Sequence, residues 1–272
     1  MVAVWQDRVE WDTAAQGWWI DGMPLNRLAY RVHQLSGSAP PALRGSNVTT
    51  AAEPGARHRG KVHTSRTIQL ALWLVPEDGD TLDETFRELW RRLGRHDSQV
   101  TLQRRVDVDG RTEQVTADVE VMDKPETSIH RPGDVADVAI DFHMPDPYWY
   151  LAKRTKTIAS DGKTHRVWNP GTVERHFDVV VTLNGPLTDP TLTNNSLGGL
   201  NVSYSGTVAD GDTVTLNSRE MTAKDQDGNR VDSSVTKSGT WWFEMADERN
   251  EITLTSSSGD GTADLVWRPA LI

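Results

Sequence analysis

Near the middle of the chain Val138, Ile140, Phe142 and Met144 alternate with Asp137, Asp141 and His143. A period of two with one apolar side predicts a strand with one buried face. Pro145 and Pro147 then end the pairing, because neither can donate a ladder hydrogen bond. The aromatic triplet Tyr148, Trp149 and Tyr150 follows at once and is too apolar for a free linker. The run predicts a seam between two β-rich halves, residues 1–147 and 148–272, with the triplet packing to fix the angle between them.

Upstream of the seam the pattern reads as strands around one helix. Residues 2–11 and 18–35 carry β-type side chains, with Asp21-Gly22 as a tight turn. Residues 36–64 lose periodicity and predict a long polar loop holding Arg44, Arg57, His58, Arg59, Lys61 and His63. Loops of that length inside a compact domain are commonly functional or ordered by a partner, and a plain surface loop is the competing reading. Alternation resumes over residues 67–75, with Ile68, Leu70, Leu72 and Leu74 on one face, and stops at Pro76. A helix follows: Thr81 can N-cap, Glu84 completes a capping box, and Leu82, Phe86, Leu89, Trp90 and Leu93 form one apolar stripe. Arg91, Arg92 and Arg95 suit its C-terminal end and Gly94 its cap. Residues 99–107 and 111–122 predict a hairpin about Asp109-Gly110, with Val100, Leu102, Val106 and Val108 answering Val115, Ala117, Val119 and Val121.

Downstream no segment has a helical period. Phe177, Val179, Val181 and Leu183 alternate before the breakers Asn184-Gly185-Pro186 and Asp189-Pro190. Short strands are predicted over 200–208, 212–217, 220–224, 230–235, 240–245, 251–255 and 263–268. The fold class read from the whole pattern is mainly β, with one helix in an α+β N-terminal domain, followed by an all-β jelly-roll sandwich.

Composition narrows the function classes. The 272 residues suit two domains. Lys+Arg 29 against Asp+Glu 39 gives a net charge of -10, so no basic stripe is available to neutralise phosphates or an anionic membrane. Cys is 0, which removes disulfides, thiolate nucleophiles and Cys-ligated metals. The first eight residues carry no basic region leading into an apolar core, and no apolar run reaches membrane-spanning length. The expected product is made soluble in a cytoplasm, with no membrane insertion.

Reactive constellations are not recognisable. The eight His residues make no His-Glu-x-x-His, and there is no Gly-x-Ser-x-Gly, P-loop or dinucleotide fingerprint. Asp225-Gln226-Asp227-Gly228-Asn229 lacks EF-hand spacing and reads as a hairpin turn. Catalytic, cofactor-binding and metal residues are therefore all expected to be none, and the protein is expected not to be an enzyme. In Trp241-Trp242-Phe243 neighbouring strand positions face opposite ways. Trp242 is thus the candidate for stacking a glycan, against a plainer reading in which Trp241 and Phe243 enter the core and Trp242 covers an edge.

Several runs together resemble the distal tail proteins (Dit-like minor tail proteins) of long-tailed phages, particularly those infecting actinobacteria. They are residues 66–93, the seam 141–150, Trp168-Asn169-Pro170-Gly171-Thr172, residues 184–192, Tyr204-Ser205-Gly206-Thr207-Val208, Gly211-Asp212-Thr213-Val214 and Trp267-Arg268-Pro269-Ala270. Each is a modest turn or strand motif, and their order over two domains is the specific part. The resemblance implies a belt domain forming a homohexameric ring at the end of the tail tube and a galectin-like sandwich projecting outward. It implies as partners the tail tube protein, the tail-tip hub protein, the tape measure protein and receptor-binding fibres, with DNA only passing through an acidic lumen. It places the protein in the virion, at the distal end of the tail, after assembly in the host cytoplasm. Arg44, Arg57, His58, Arg59 and Lys61 become the candidate assembly-interface loop, joined by the exposed sides of the ring strands, and Pro145, Pro147, Tyr148, Trp149 and Tyr150 the interdomain seam. The chain is too short and continuous to hold the carbohydrate-binding module inserted in some relatives. A carbohydrate-binding module or adhesin recognising the host cell wall is the alternative, carried by the sandwich and by Trp 11.

Overall fold

The computed structural model describes residues 17–25, 29–36, 40–44, 48–49, 56–57, 62–77, 79–94, 99–122, 125–131, 135–173, 175–239 and 241–272. It divides into two compact units, Met1–Trp149 with Ile272, and Tyr150–Leu271.

The first unit contains β1 (Trp18–Ile20), β2 (Met23–Pro24), β3 (Tyr30–Ser36), β4 (Leu43–Arg44), β5 (Val48–Thr49), β6 (Ala56–Arg57), β7 (Val62–His63) and β8 (Arg66–Leu74). Helix α1 (Leu82–Leu93), β9 (Val100–Val108), β10 (Arg111–Val121), β11 (Glu126–Arg131) and β12 (Val135–Met144) complete it. Strands pair in the order β2-β1-β9-β10-β12-β8-β3, with β11 also on β12. Strand β10 lies along β9 from Arg111 to Val119 and then meets β12 through Glu120 and Val121. One strand therefore serves two sheets at a corner, and the faces enclosed there bury Ile20, Leu70, Leu102, Val119, Ile140 and Phe142 completely.

The alternation over β8 and β12 is carried into the structure without a slip. Every even-numbered residue from Arg66 to Leu74 and from Ala136 to Met144 is buried, and the intervening ones are not. Helix α1 starts where its capping box predicts: the Glu84 amide donates to Thr81 Oγ1 at 3.3 Å and the Thr81 amide donates to Glu84 Oε2 at 2.8 Å. Leu82, Leu89 and Leu93 are buried, while Phe86 and Trp90 stay half-buried and stack on each other. The β9/β10 hairpin departs from expectation at its far end. Val106 and Val108 are half-exposed, because the hairpin runs past the core that receives Val100 and Leu102.

Residues 36–64 differ from the predicted loop. Strand β4 pairs β7 (Leu43↔His63, Arg44↔Val62) and β5 pairs β6 (Val48↔Arg57, Thr49↔Ala56). The two ladders are nested in sequence, and the described pieces together are called the β-arm below. Each ladder is only two residues long, too short to impose a visible period on the sequence.

The chain crosses to the second unit in β13 (Trp149–Tyr150). The strands that follow are β14 (Arg154–Ala159), β15 (Thr164–Asn169), β16 (Arg175–His176), β17 (Val179–Asn184), β18 (Leu187–Thr188), β19 (Thr191–Asn194), β20 (Leu200–Tyr204) and β21 (Thr207–Val208). Then come β22 (Thr213–Asn217), β23 (Thr222–Asp225), β24 (Val235–Lys237), β25 (Met245–Ala246), β26 (Glu248–Thr255), β27 (Thr262–Trp267) and β28 (Ala270–Leu271). Sheets β14-β27-β17-β22-β23 and β15-β26-β19-β20-β24 face each other across Val181, Leu192, Leu216, Ile252, Leu254 and Leu265. Among the described residues of this unit the only helical turns are 3-10, at Asn195–Leu197 and Asp232–Ser234. The described residues are thus mainly β with a single α-helix among them, and the second unit is an antiparallel sandwich.

The strand expected over residues 240–245 is not formed; bends lead into the short β25. What holds this segment is a buried polar network. Asn194 Nδ2 donates to the Glu244 carbonyl at 3.0 Å and to Asn250 Oδ1 at 2.8 Å. The Phe243 amide donates to Ser218 Oγ at 2.8 Å, and the Ala246 amide to Asn250 Oδ1 at 2.7 Å. Side chains replace the missing ladder, so the buried backbone groups remain satisfied.

Candidate assembly surfaces

The β-arm is anchored at its base. Thr64 donates both its amide (2.8 Å) and its hydroxyl (3.1 Å) to the Ala42 carbonyl. Nδ1 of His63 lies 3.0 Å from the Tyr148 hydroxyl, with the rings edge to face at 5.6 Å. Burial, and then the Asp146 carboxylate, push the Tyr148 phenol up from its ordinary value. Of the sequence-predicted interface residues, Arg44 and Arg57 fall on β4 and β6. Their side chains, and the whole of His58, Arg59 and Lys61, lie outside the described residues.

The seam residues separate by unit. Pro145 is exposed, Pro147 is buried, and Trp149 is 2% exposed. Within the first unit Trp149 packs edge to face on Trp18 at 5.8 Å, and the Arg104 guanidinium sits 4.7 Å from its ring centroid. Burial, with Arg66 nearby as a second cation, lowers Arg104 to about 10. It is still charged at neutral pH and available for the cation–π contact. Tyr150, in the second unit, has the Arg268 guanidinium over its ring at 4.8 Å.

On β8 and β12 the side away from the core presents half-exposed Gln69, Ala71 and Trp73 beside Asp137, Ala139 and Asp141. The register of β3 on β8 shifts between Val32 and Gln34, leaving His33 as the extra residue. A bulge of this kind re-aims its side chain. Here it stacks His33 on Trp73 (centroids 4.7 Å, 22°), with Nε2 3.2 Å from Asp137 Oδ1. Gln69 Nε2 donates to Asp141 Oδ1 at 2.9 Å. The outcome is a polar face cross-linked between strands, with Trp73 as its large aromatic.

An acidic recess of about 350 Å³ lies beside α1, lined by Ala29, Tyr30, Glu77, Asp80, Glu84, Thr85 and Glu88. Tyr30 donates its hydroxyl to the Thr85 carbonyl at 3.1 Å. Burial, and then Glu88, push its phenol up to about 12. The cap bond from the Thr81 amide holds the Glu84 carboxyl below its ordinary value. Among the described residues no group of three or more His, Asp or Glu side chains is placed to hold a metal ion.

In the second unit the structure redistributes the tryptophans. Trp242 is 7% exposed and belongs to the core with Phe243, so the predicted stacking residue is closed to a sugar. Bends at 241–242 break the strand alternation on which the prediction rested. Trp241 stacks on Phe177 at 4.2 Å. Trp168, on β15, is instead 53% exposed. Its neighbour Asn169 is wholly buried: Nδ2 donates to the Ala246 carbonyl at 2.8 Å, and Oδ1 accepts from the Gly171 amide and Trp267 Nε1, each at 3.3 Å. A Cβ on Gly171 would meet the Ala270 carbonyl at 2.8 Å. The Trp-Asn-Pro-Gly run is therefore a brace between strands, with its Trp left outside. The Asp225 carboxylate accepts from the Asp227 and Asn229 amides and from Asn229 Nδ2, which makes residues 225–229 a self-bonded turn.

No protein-family model matches the chain, and no curated protein does. Among solved structures, the chain is similar to the SPP1 Dit (gp 19.1) protein, described as a paradigm of the hub adsorption apparatus in phages infecting Gram-positive bacteria. The TM-score is 0.65 at 13% identity, over 94% of this chain and 99% of that one. It is similar more distantly to the phage P2 baseplate in its activated conformation with Ca (TM-score 0.43, 11% identity, 90% of this chain and 92% of that one) and with Sr (0.40, 12%, 89% and 92%). The likeness to SPP1 Dit establishes a shared fold across the length of both chains.

Proposed function

We propose that this chain is a structural protein of a phage tail tip, a distal tail protein whose copies form a ring joining the tail tube to the hub and fibres. The observation that carries the reading is that the SPP1 Dit likeness runs through both units in one order, where a match to one sandwich would be common currency among unrelated functions. The motif order in the sequence points independently to the same class, and to a host among the actinobacteria. We infer six copies per ring, with the tube protein on one side, the hub, fibres and tape measure protein on the other, and DNA passing through the lumen. The first unit supplies the ring contacts through the β-arm and the outer face of β8 and β12. Support for the arm comes from its anchored base together with the Arg and Lys residues it carries in an acidic chain.

Immunogold labelling of purified virions with antibody to this chain tests the proposal. Gold at the distal end of the tail tube is expected. Label on the capsid or along the tail shaft, or virions that do not contain the chain, would overturn it.

A further inference from the structure

Two arginines of the first unit occupy positions that the strand pattern otherwise gives to the core. The inward row of β9 runs Val100, Leu102, Arg104, and that of β8 runs Arg66, Ile68, Leu70. Arg66 is 8% exposed and Arg104 is half-buried. Arg104 stands on an interior strand, in register with Trp18 of β1 on one side and Val115 of β10 on the other. Its guanidinium lies 5.9 Å from the Trp18 ring centroid and 4.7 Å from that of Trp149. Its Nε is buried and meets no hydrogen-bond acceptor. Arg66 is close enough that its charge, after burial, adds to the lowering of Arg104.

Burying a charge is costly unless an opposite charge and hydrogen bonds meet it. Indole faces return only part of that cost, and a second cation nearby adds repulsion. An anion lodged beside the two guanidinium groups supplies the acceptor that Arg104 Nε lacks and offsets the repulsion. We infer that Arg104 and Arg66 form a binding site for a doubly charged oxyanion of the phosphate or sulfate kind. The planar fork of Arg104 donates paired bonds to two oxygens of such an ion, and two positive charges match its two negative ones. Because Arg104 is only half-buried, a small ion has an approach to it. The site belongs to the first unit alone and stands whether or not that unit forms a ring.

The test titrates inorganic phosphate into the full-length protein at constant ionic strength, balanced with chloride, reading calorimetric heat and melting temperature. Phosphate also stabilises folded proteins by exclusion from their surface, so saturation is the criterion. The net charge of -10 repels anions in general, which makes a saturating response the mark of a specific site. Wild type is expected to show one site with a dissociation constant on the order of 1 mM, for which sulfate competes. Arg104→Gln is expected to bind about tenfold more weakly or worse. Arg105→Gln, which alters an exposed neighbour, should bind as wild type does, and Arg104→Lys, which keeps the charge without the fork, should fall between. Melting in chloride alone confirms that the variants are folded; should Arg104→Gln fail to fold, Arg104→Lys and the sulfate competition carry the decision. The inference is overturned if wild type gives no saturable response at tens of millimolar phosphate, or if the folded Arg104 variants bind as tightly as wild type. Saturable binding of glutarate, a dicarboxylate, with none of phosphate would equally overturn the class of anion assigned.

Discussion

Thr81 and Glu84 hold the start of α1 by exchanging hydrogen bonds, and removing one partner should show directly. Thr81→Ala is expected to cost about 1 kcal/mol, the usual worth of an N-cap hydroxyl, read as a lower urea midpoint for the first unit. Tyr30 gives a pH signature. Its phenol is raised from 10.0 to about 12 in the folded protein, so between those values the unfolded chain has lost a proton that the folded one keeps. Stability is therefore expected to fall as pH rises from about 10 towards about 12. Tyr30→Phe should flatten that alkaline limb in pH-dependent melts, and an unchanged slope would count against the assignment. Trp149, 2% exposed against Trp18 and Arg104, should cost about 3–5 kcal/mol when replaced by Ala, measured by chemical denaturation. At this scale the sequence told burial from exposure poorly. Around Trp241-Trp242-Phe243 the bonds that fix the backbone come from distant residues: the Phe243 amide donates to Ser218 and the Glu244 carbonyl accepts from Asn194, which no local pattern announces. Trp168 enters the sequence reading only as part of a motif, without its exposure, although Asn169 beside it is buried and neighbouring strand positions face opposite ways.

The elements that were legible are those whose cause is local. Strands β8 and β12 alternate over their full length, and α1 carries its own caps and stripe. The β-arm was illegible because its ladders are two residues long. Strand β14 was passed over because Ile158 is its only buried side chain, among exposed Thr and Lys. Arm and core are expected to be separable: deleting residues 40–60 should leave the second unit folded, with its melting transition in place, while preventing tail assembly. Normal tails from the deletion would remove the arm from the interface. The Asn169 brace is expected to matter for β15 and the turn after it. Asn169→Ala takes the Asn169 Oδ1 acceptor from Trp267 Nε1 and from the Gly171 amide in a buried site, at roughly 1–3 kcal/mol for a buried group left unpaired, and should be visible as faster amide exchange over residues 164–172.

For the molecule as a whole, the two compact units divide between Trp149 and Tyr150, two residues past the boundary expected after Pro147. Function was less legible than fold, since the ring-forming role proposed here would be written in surfaces that only a partner defines. The central claim is therefore best tested on the assembled particle, by cryo-electron microscopy of the tail tip reconstructed with the symmetry its density supports. The account predicts a ring of six copies of this chain at the end of the tube. In that ring the β-arm and the outer face of β8 and β12 lie at subunit or tube contacts, with the second unit outside the lumen. A reconstruction in which the ring density fits another chain, or in which this chain sits only as isolated copies on the fibres, would contradict it.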